Sequence, residues 1–376
     1  MKSSADRLVR RALRDLAPYV PGTSAAEVER RYGITSPVKL SQNENPLGTS
    51  PRALAAIRAL DSFSDYLEDD HWELRGRLGA RYRLAAENVI CGHGSNELIA
   101  LAFTAFADPG DEVVMARPTF SLYKKDAGIA GALAVEVPLR NGVHDLAEML
   151  DAVTPRTKLV FVCDPNNPTG TRLEREALLR FARALPPDIL LIVDQAYLEY
   201  ADEGACDAVD LLADRPQTLV LRTSSKIYGL AAIRFGYGYS SPEIVAWMNS
   251  ARVPFNVARP AAAAMLGALE DGEFVERSRR SNEAGKAFLG ALFERLGLPA
   301  YPTSANFVAV GVPVGADAAY RALLAHGLIV RSGDGLRMPG YLRVTIGTPE
   351  QNAAFARVLE ELLPVWRGAP AASARA

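Results

Sequence analysis

At 376 residues, with 49% apolar and 23% charged residues, the chain has the length and composition of a soluble protein with room for two domains and a large core. A net charge of −2 gives no electrostatic support to a nucleic-acid or acidic-membrane partner, and no run approaches the roughly 20 apolar residues needed to span a bilayer. Three cysteines without a Cys-x-x-Cys pair point to free thiols in a reducing compartment, and four scattered histidines offer no metal spacing.

The first segment, Met1 to Arg14, is basic and helical in pattern but lacks an apolar centre, so it does not read as a secretory signal, and a cytoplasmic protein is expected. Residues 1–48 show no core of their own and are expected to join a smaller domain formed later in the chain. From about residue 85 to 240, short apolar runs alternate with helical segments, the pattern of a sheet covered by helices. Strands are expected at Val89–Cys91, Glu112–Met115, Leu159–Cys163, Ile189–Val193 and Thr218–Leu221, with helices at Asn96–Ala107 and Leu173–Ala184. These place a large domain over residues 49–270. An alanine-rich, then charged, helical stretch near Pro260 to Leu296 leads into a small domain over residues 271–365, with strands near Phe307–Val310, Leu328–Arg331 and Tyr341–Ile346. The small-residue segment 366–376 reads as a disordered tail.

Of 42 basic residues only seven are lysines, and one of them, Lys226, follows the run Thr218–Leu221 in the segment Thr223-Ser224-Ser225-Lys226-Ile227-Tyr228-Gly229. Ligands of open α/β sheets collect at the carboxyl ends of strands, and a lysine held there can lose its proton and form a Schiff base with an aldehyde. A surface lysine is the bland reading. It gives way because suitable partners leave neighbouring strands. Gly92-His93-Gly94-Ser95-Asn96 opens a helix whose free N–H groups suit a phosphate. Asp194 ends a buried run, where a carboxylate can pair with a protonated ring nitrogen, although a helix N-cap is an equally good reading of that residue alone. Tyr197 and the turn Asn166-Asn167-Pro168-Thr169-Gly170 offer a phenol and an amide for a ring oxygen, or an ordinary Asn-Pro turn. Thr223, Ser225 and Arg234 supply two hydroxyls and a planar, doubly donating guanidinium for a phosphate dianion.

These pieces together resemble the fold-type I pyridoxal phosphate enzymes, and within them the histidinol-phosphate aminotransferase family. The resemblance runs from Leu16-Ala17-Pro18-Tyr19-Val20-Pro21-Gly22 and Asn43-Glu44-Asn45-Pro46 through Pro118-Thr119-Phe120-Ser121-Leu122-Tyr123, and closes with Ile329-Val330-Arg331 and Leu342-Arg343-Val344-Thr345. It implies an α/β fold: a large domain with a mostly parallel central sheet flanked by helices, plus a smaller α+β domain from the N- and C-terminal segments. It implies pyridoxal 5′-phosphate bound through Lys226 as catalytic base, Asp194 at the ring nitrogen, Tyr197 and Asn167 at the ring oxygen, and Phe120 on the ring face. Ser95, Asn96, Thr223, Ser225 and Arg234 would hold the phosphate. Tyr66 would be lent to the neighbouring subunit of a homodimer with shared sites. Tyr19, Asn43, Arg331 and Arg343 would face the substrate, Arg343 gripping an α-carboxylate. The partners implied are an amino donor and a keto-acid acceptor, with no nucleic acid and no membrane.

The chain departs from the family at Asn96, where aspartate is usual, at Gln195, where glutamate is usual, and at Leu67, where proline follows the tyrosine. A paralogue with another substrate fits these departures, and a decarboxylase resembling threonine-phosphate decarboxylase shares the same scaffold. A non-enzymatic regulator would need an appended DNA-binding module, and the enzyme-like motifs begin by about Tyr19.

Overall fold

The computed structural model describes residues 8–14, 16, 18 and 22–368. Short strand β1 (Val38–Lys39) precedes seven strands that form one sheet: β2 (Val89–Gly92), β3 (Glu112–Arg117), β4 (Leu133–Pro138), β5 (Thr157–Cys163), β6 (Leu190–Asp194), β7 (Thr218–Thr223) and β8 (Gly236–Tyr239). Their order across the sheet is β2-β8-β7-β6-β5-β3-β4, and β8 alone runs against its neighbours. Parallel strands covered on both faces read as continuous apolar runs, which is why β5, β6 and β7 are legible in sequence.

Alternation along each strand sends its residues to two cores. Val160, Val162, Leu191, Val193 and Val220 pack with Leu178, Phe181 and Met265 on one face. Leu159, Phe161, Ile192, Leu219 and Leu221 pack with Leu98, Ile99, Phe103 and Tyr123 on the other. Each fully buried aliphatic or aromatic side chain contributes roughly 1.5–3 kcal/mol relative to exposure, so the sheet is a rigid platform from which the loops at its carboxyl edge project.

A third core gathers Leu289, Leu292 and Phe293 from the helix Gly272–Arg295, the strands β9 (Phe307–Gly311) and β12 (Tyr341–Thr345), and Phe355 and Leu359 from the helix Pro349–Gly368. The expected strand at Leu328–Arg331 is two short ones. β10 (Leu328–Ile329) pairs in parallel with β1, whereas β11 (Arg331–Ser332) pairs antiparallel with β12. Leu40 belongs to this third core and Val28 packs on Leu324 and Ile329, which ties residues before 48 to it.

The disordered tail expected over 366–376 is not what residues 366–368 form. Residues 366–368 continue the helix Pro349–Gly368, because Leu359, Leu363 and Trp366 make one buried stripe at helical spacing. Residues 369–376, and Tyr19, lie outside the described residues. Among the described residues no helix is long and apolar enough to cross a membrane, and no cluster of three metal-ligating side chains occurs.

Candidate active site

A cleft of about 950 Å³ opens where β5, β6 and β7 end against the third core. Its wall includes Asn43, Ser95, Asn96, Phe120, Asn167, Asp194, Tyr197, Thr223, Ser225, Lys226, Arg234, Arg331 and Arg343, so residues scattered over 300 positions converge there. Tyr66 does not join them. It is 77% exposed and stacks on Phe255 with ring centroids 4.3 Å apart.

Lys226 sits midway. Its Nζ donates to the Gln42 carbonyl at 3.1 Å and lies 5.8 Å from the Tyr197 ring centre. Burial, reinforced by the Arg343 and Arg234 cations, pulls its amine down to about 8.

One end of the cleft is rich in N–H groups and carries a cation. The helix Ser95–Phe106 starts after Gly94 (φ 76°, ψ 166°), and no side chain caps it. Glu97 instead reaches back to the His93 N–H at 2.5 Å and accepts from Asn256 Nδ2 at 2.8 Å, leaving the first turn to face the cleft. Arg234 takes a left-handed conformation (φ 58°, ψ 57°) and is held by Nη1 donating to the Ala231 carbonyl at 2.8 Å and to Ser225 Oγ at 3.4 Å. Thr223 Oγ1 accepts from the Ser225 N–H at 3.2 Å. Two glycines make this end possible. A Cβ on Gly94 would meet the Arg234 guanidinium at 2.5 Å, and one on Gly236 would overlap the Ser95 nitrogen and the Gly94 backbone.

The opposite end is acidic and buried. Asp194 is 3% exposed; its Oδ1 accepts from the Ala196 N–H at 3.2 Å and its Oδ2 from the Tyr123 hydroxyl at 2.7 Å. Burial raises its carboxyl, and Tyr123, the Ala196 N–H, Lys226 and Arg222 oppose that rise.

Between these ends lies a polar circuit. Asn43 Nδ2 donates to the Tyr197 hydroxyl at 3.0 Å and Asn167 Nδ2 approaches it at 3.4 Å. The phenol accepts from both and keeps its own hydrogen to give; burial holds it up at about 12. Asn43, which also lines the cleft, accepts from Thr345 Oγ1 through its Oδ1 at 3.1 Å, and this holds its amide against Tyr197. Arg343 donates to Asn167 Oδ1 at 2.6 Å and to the Ser41 carbonyl at 2.8 Å. Across β11 and β12, Arg331 and Arg343 are direct partners.

The model match settles the lineage: residues 35–359 fit the family described as aminotransferase class I and II. The chain belongs to that family. It is 44% identical to the histidinol-phosphate aminotransferase of Moorella thermoacetica over 94% of this chain and 92% of that one. It is 42% identical to histidinol-phosphate aminotransferase 2 of Pseudomonas aeruginosa over 95% and 98% of the two chains. Among solved structures, the Sinorhizobium meliloti histidinol-phosphate aminotransferase in complex with pyridoxal-5′-phosphate superposes with a TM-score of 0.86 at 28% identity, covering 95% and 98% of the two chains. A Thermus thermophilus aspartate aminotransferase double mutant gives 0.82 at 27% identity, covering 93% and 99%.

The fold is that of the fold-type I enzymes, and the protein is a pyridoxal phosphate-dependent aminotransferase. The donor set of this aminotransferase suits the cofactor: a cationic cradle whose closeness only glycine permits, an amine with a lowered proton affinity, and a buried carboxylate at the far end.

Two features of the site are not marked in the sequence. The carbonyls of Ser41 and Gln42 meet Arg343 and Lys226, and backbone groups carry no residue signature. Tyr123 backs Asp194 from the helix Leu122–Ala130; its one signal is its place three residues after Phe120 in the motif Pro118–Tyr123. Gln195, which reads as a lost charge beside Asp194, has a structural task. It donates to the Cys206 carbonyl at 2.7 Å and accepts from the Ala208 N–H at 3.0 Å.

Proposed function

We propose that the aminotransferase exchanges an amino group between histidinol phosphate and 2-oxoglutarate, with imidazole acetol phosphate and glutamate as the products, in the cytoplasm. The observation carrying this reading is the pairing of Arg331 with Arg343 across adjacent strands at the cleft. Two guanidiniums on paired strands lining one cleft offer planar, doubly donating cations to an anionic ligand. Glutamate carries two carboxylates and histidinol phosphate a phosphate, so each half-reaction presents anionic groups to this pair. Relatives at 44% and 42% identity carry the name histidinol-phosphate aminotransferase.

In this reading Ser95, Asn96, Thr223, Ser225 and Arg234 hold the cofactor phosphate, Phe120 covers the ring face, and Asp194 holds the proton of the ring nitrogen. Tyr197, braced by Asn43 and Asn167, donates its hydroxyl hydrogen to the ring oxygen. The bound cofactor supplies an aldehyde and an electron-withdrawing ring. Lys226 Nζ would hold the cofactor through its amine, whose lowered proton affinity favours the uncharged form, and would carry a proton to and from the substrate α-carbon. Arg343 holds the α-carboxylate of glutamate by its planar fork, and Arg331, with Tyr19, receives the phosphate of histidinol phosphate.

The exposed Tyr66–Phe255 pair belongs, in the same reading, to a homodimer contact through which Tyr66 reaches the cofactor phosphate of the neighbouring subunit.

The test is anaerobic mixing of the cofactor-loaded protein with L-histidinol phosphate. Loss of the cofactor's aldehyde-derived absorbance, restored by 2-oxoglutarate without release of carbon dioxide, is expected. A silent spectrum with histidinol phosphate, alongside a response to aromatic amino acids, would assign the cleft to another substrate.

A further inference from the structure

Tyr123 stands behind the cleft rather than in it. It lies in the first turn of the helix Leu122–Ala130, and its side chain is fully buried. Its ring stacks on Phe161 at 4.5 Å and 21°, and meets the edge of Phe120 at 5.6 Å and 82°. Packing on two sides fixes the ring, and the fixed ring aims its hydroxyl at Asp194 Oδ2, 2.7 Å away. The Cys163 thiol lies beside the same hydroxyl, and Cys163 pairs with Asp194 in the sheet register.

A phenylalanine would fill this space in the apolar core as well. A hydroxyl placed there carries the cost of burial and must find an acceptor, so its presence calls for a task. Burial drives the phenol well above its ordinary value of 10, so Tyr123 stays a neutral donor across the working pH range. It therefore stabilises the charged form of its acceptor without adding a cation that would cancel the charge. Burial favours the neutral form of the Asp194 carboxyl, and the groups that oppose this include Tyr123, the Ala196 N–H, Lys226 and Arg222.

We propose that Tyr123 is a positioning residue for recognition of a pyridine ring nitrogen: its hydroxyl fixes Asp194 in one orientation and in its charged form, so that the carboxylate is ready for a protonated ring. The inference rests on the assignment of Asp194 to the cofactor ring. It extends the site by a layer, since Tyr123 acts only through Asp194.

The test needs no turnover. Apoenzyme is titrated with pyridoxal phosphate and with its 1-deaza analogue, whose ring carries a C–H in place of the nitrogen, in the native protein, Tyr123→Phe and Asp194→Ala. Phenylalanine keeps both ring contacts and removes only the hydroxyl. The expected result is a loss of about tenfold in pyridoxal phosphate affinity for Tyr123→Phe, with the affinity for the deaza analogue changed by less than about twofold. Equal losses for both ligands, or no loss for either, would reduce Tyr123 to core packing and overturn the proposal. If Asp194→Ala erases the preference for the nitrogen-bearing ring while Tyr123→Phe leaves it intact, the Asp194 assignment stands and the Tyr123 role alone fails. If the native protein shows no preference between the ligands, both assignments fall together. Should the phenylalanine variant not accumulate, Tyr123→Met removes the hydroxyl with a smaller flexible side chain, and the ratio of the two affinities, which cancels a general loss of packing, is read by the same comparison.

Discussion

Arg343 Nη1 donates to Asn167 Oδ1 across 2.6 Å, and so joins strand β12 of the third core to the loop after β5 of the central sheet. The same guanidinium reaches the Ser41 carbonyl, which brings a third segment to one point. From Asn167 the chain of contacts passes to Tyr197, then Asn43, then Thr345, and Thr345 returns it to β12 two residues from Arg343. The Arg343 guanidinium and the Tyr197 hydroxyl are thus parts of one loop of hydrogen bonds closed through the backbone of β12.

Arg343→Lys keeps the charge and loses the fork. On the proposed role, its KM for glutamate rises at least tenfold, in line with roughly 1.5–3 kcal/mol for a charge-assisted hydrogen bond. Arg331→Ala is expected to raise the KM for histidinol phosphate far more than that for glutamate. Steady-state kinetics on both substrates measures the split, and parallel changes would place the phosphate elsewhere.

Lys226→Ala should abolish transamination while leaving noncovalent cofactor binding. The pH dependence has a definite sign. The folded amine is lowered to about 8 from an ordinary value of 10.5. Between those values the unfolded chain holds a proton that the folded chain has released, so apoenzyme stability rises with pH from about 8 to 10.5 and levels off above. Denaturation midpoints compared with Lys226→Ala isolate this contribution. Capture of pyridoxal phosphate by apoenzyme should accelerate through pH 8 for the same reason; a flat rate from pH 6 to 10 would count against Lys226 as the receiving amine.

Gly236→Ala puts a methyl group into the Ser95 nitrogen and the Gly94 backbone. Overpacking of this kind costs about 1–3 kcal/mol, and here the strain falls on the segment proposed to hold the cofactor phosphate. A cofactor dissociation constant raised at least tenfold is expected, measured by equilibrium dialysis, and an unchanged constant would show that the cradle can relax.

Gln195→Glu restores the residue usual in the family, yet it should destabilise. A carboxylate cannot donate to the Cys206 carbonyl, so a buried acceptor loses its partner at roughly 1–3 kcal/mol. Thermal melting checks this, and the activity of the soluble fraction should not improve.

The buried parallel strands were readable because both faces are covered, which leaves unbroken apolar runs such as Leu190–Asp194 with its single terminal charge. β4 escaped because its residues are mostly half-exposed and include Glu136, and β8 because Gly-Tyr-Gly-Tyr carries no β-branched signal. Lys226, Asp194 and Arg234 stood out because the chemistry proposed for them demands particular side chains, and all three line the cleft. Tyr123 could not be separated from ordinary core aromatics, since its importance lies in one hydroxyl and the direction in which the fold points it. Asn43 lines the cleft as well as bonding Tyr197 and Thr345, and no sequence signal could have announced that second set of contacts.

The closeness of Gly94 and Gly236 divides the site into a part that can change and a part that cannot. At the cradle the backbones already touch, so a new side chain has nowhere to go, and variation there is confined to the hydroxyls and the guanidinium. The arginine pair instead sits across two paired strands, β11 and β12, at the cleft wall. New substrates can therefore be sought around Arg331 on β11, whereas Arg343 on β12 is tied through Asn167 to Tyr197. A library aimed at altered specificity should randomise the surroundings of Arg331 and leave Arg343 and the two glycines alone.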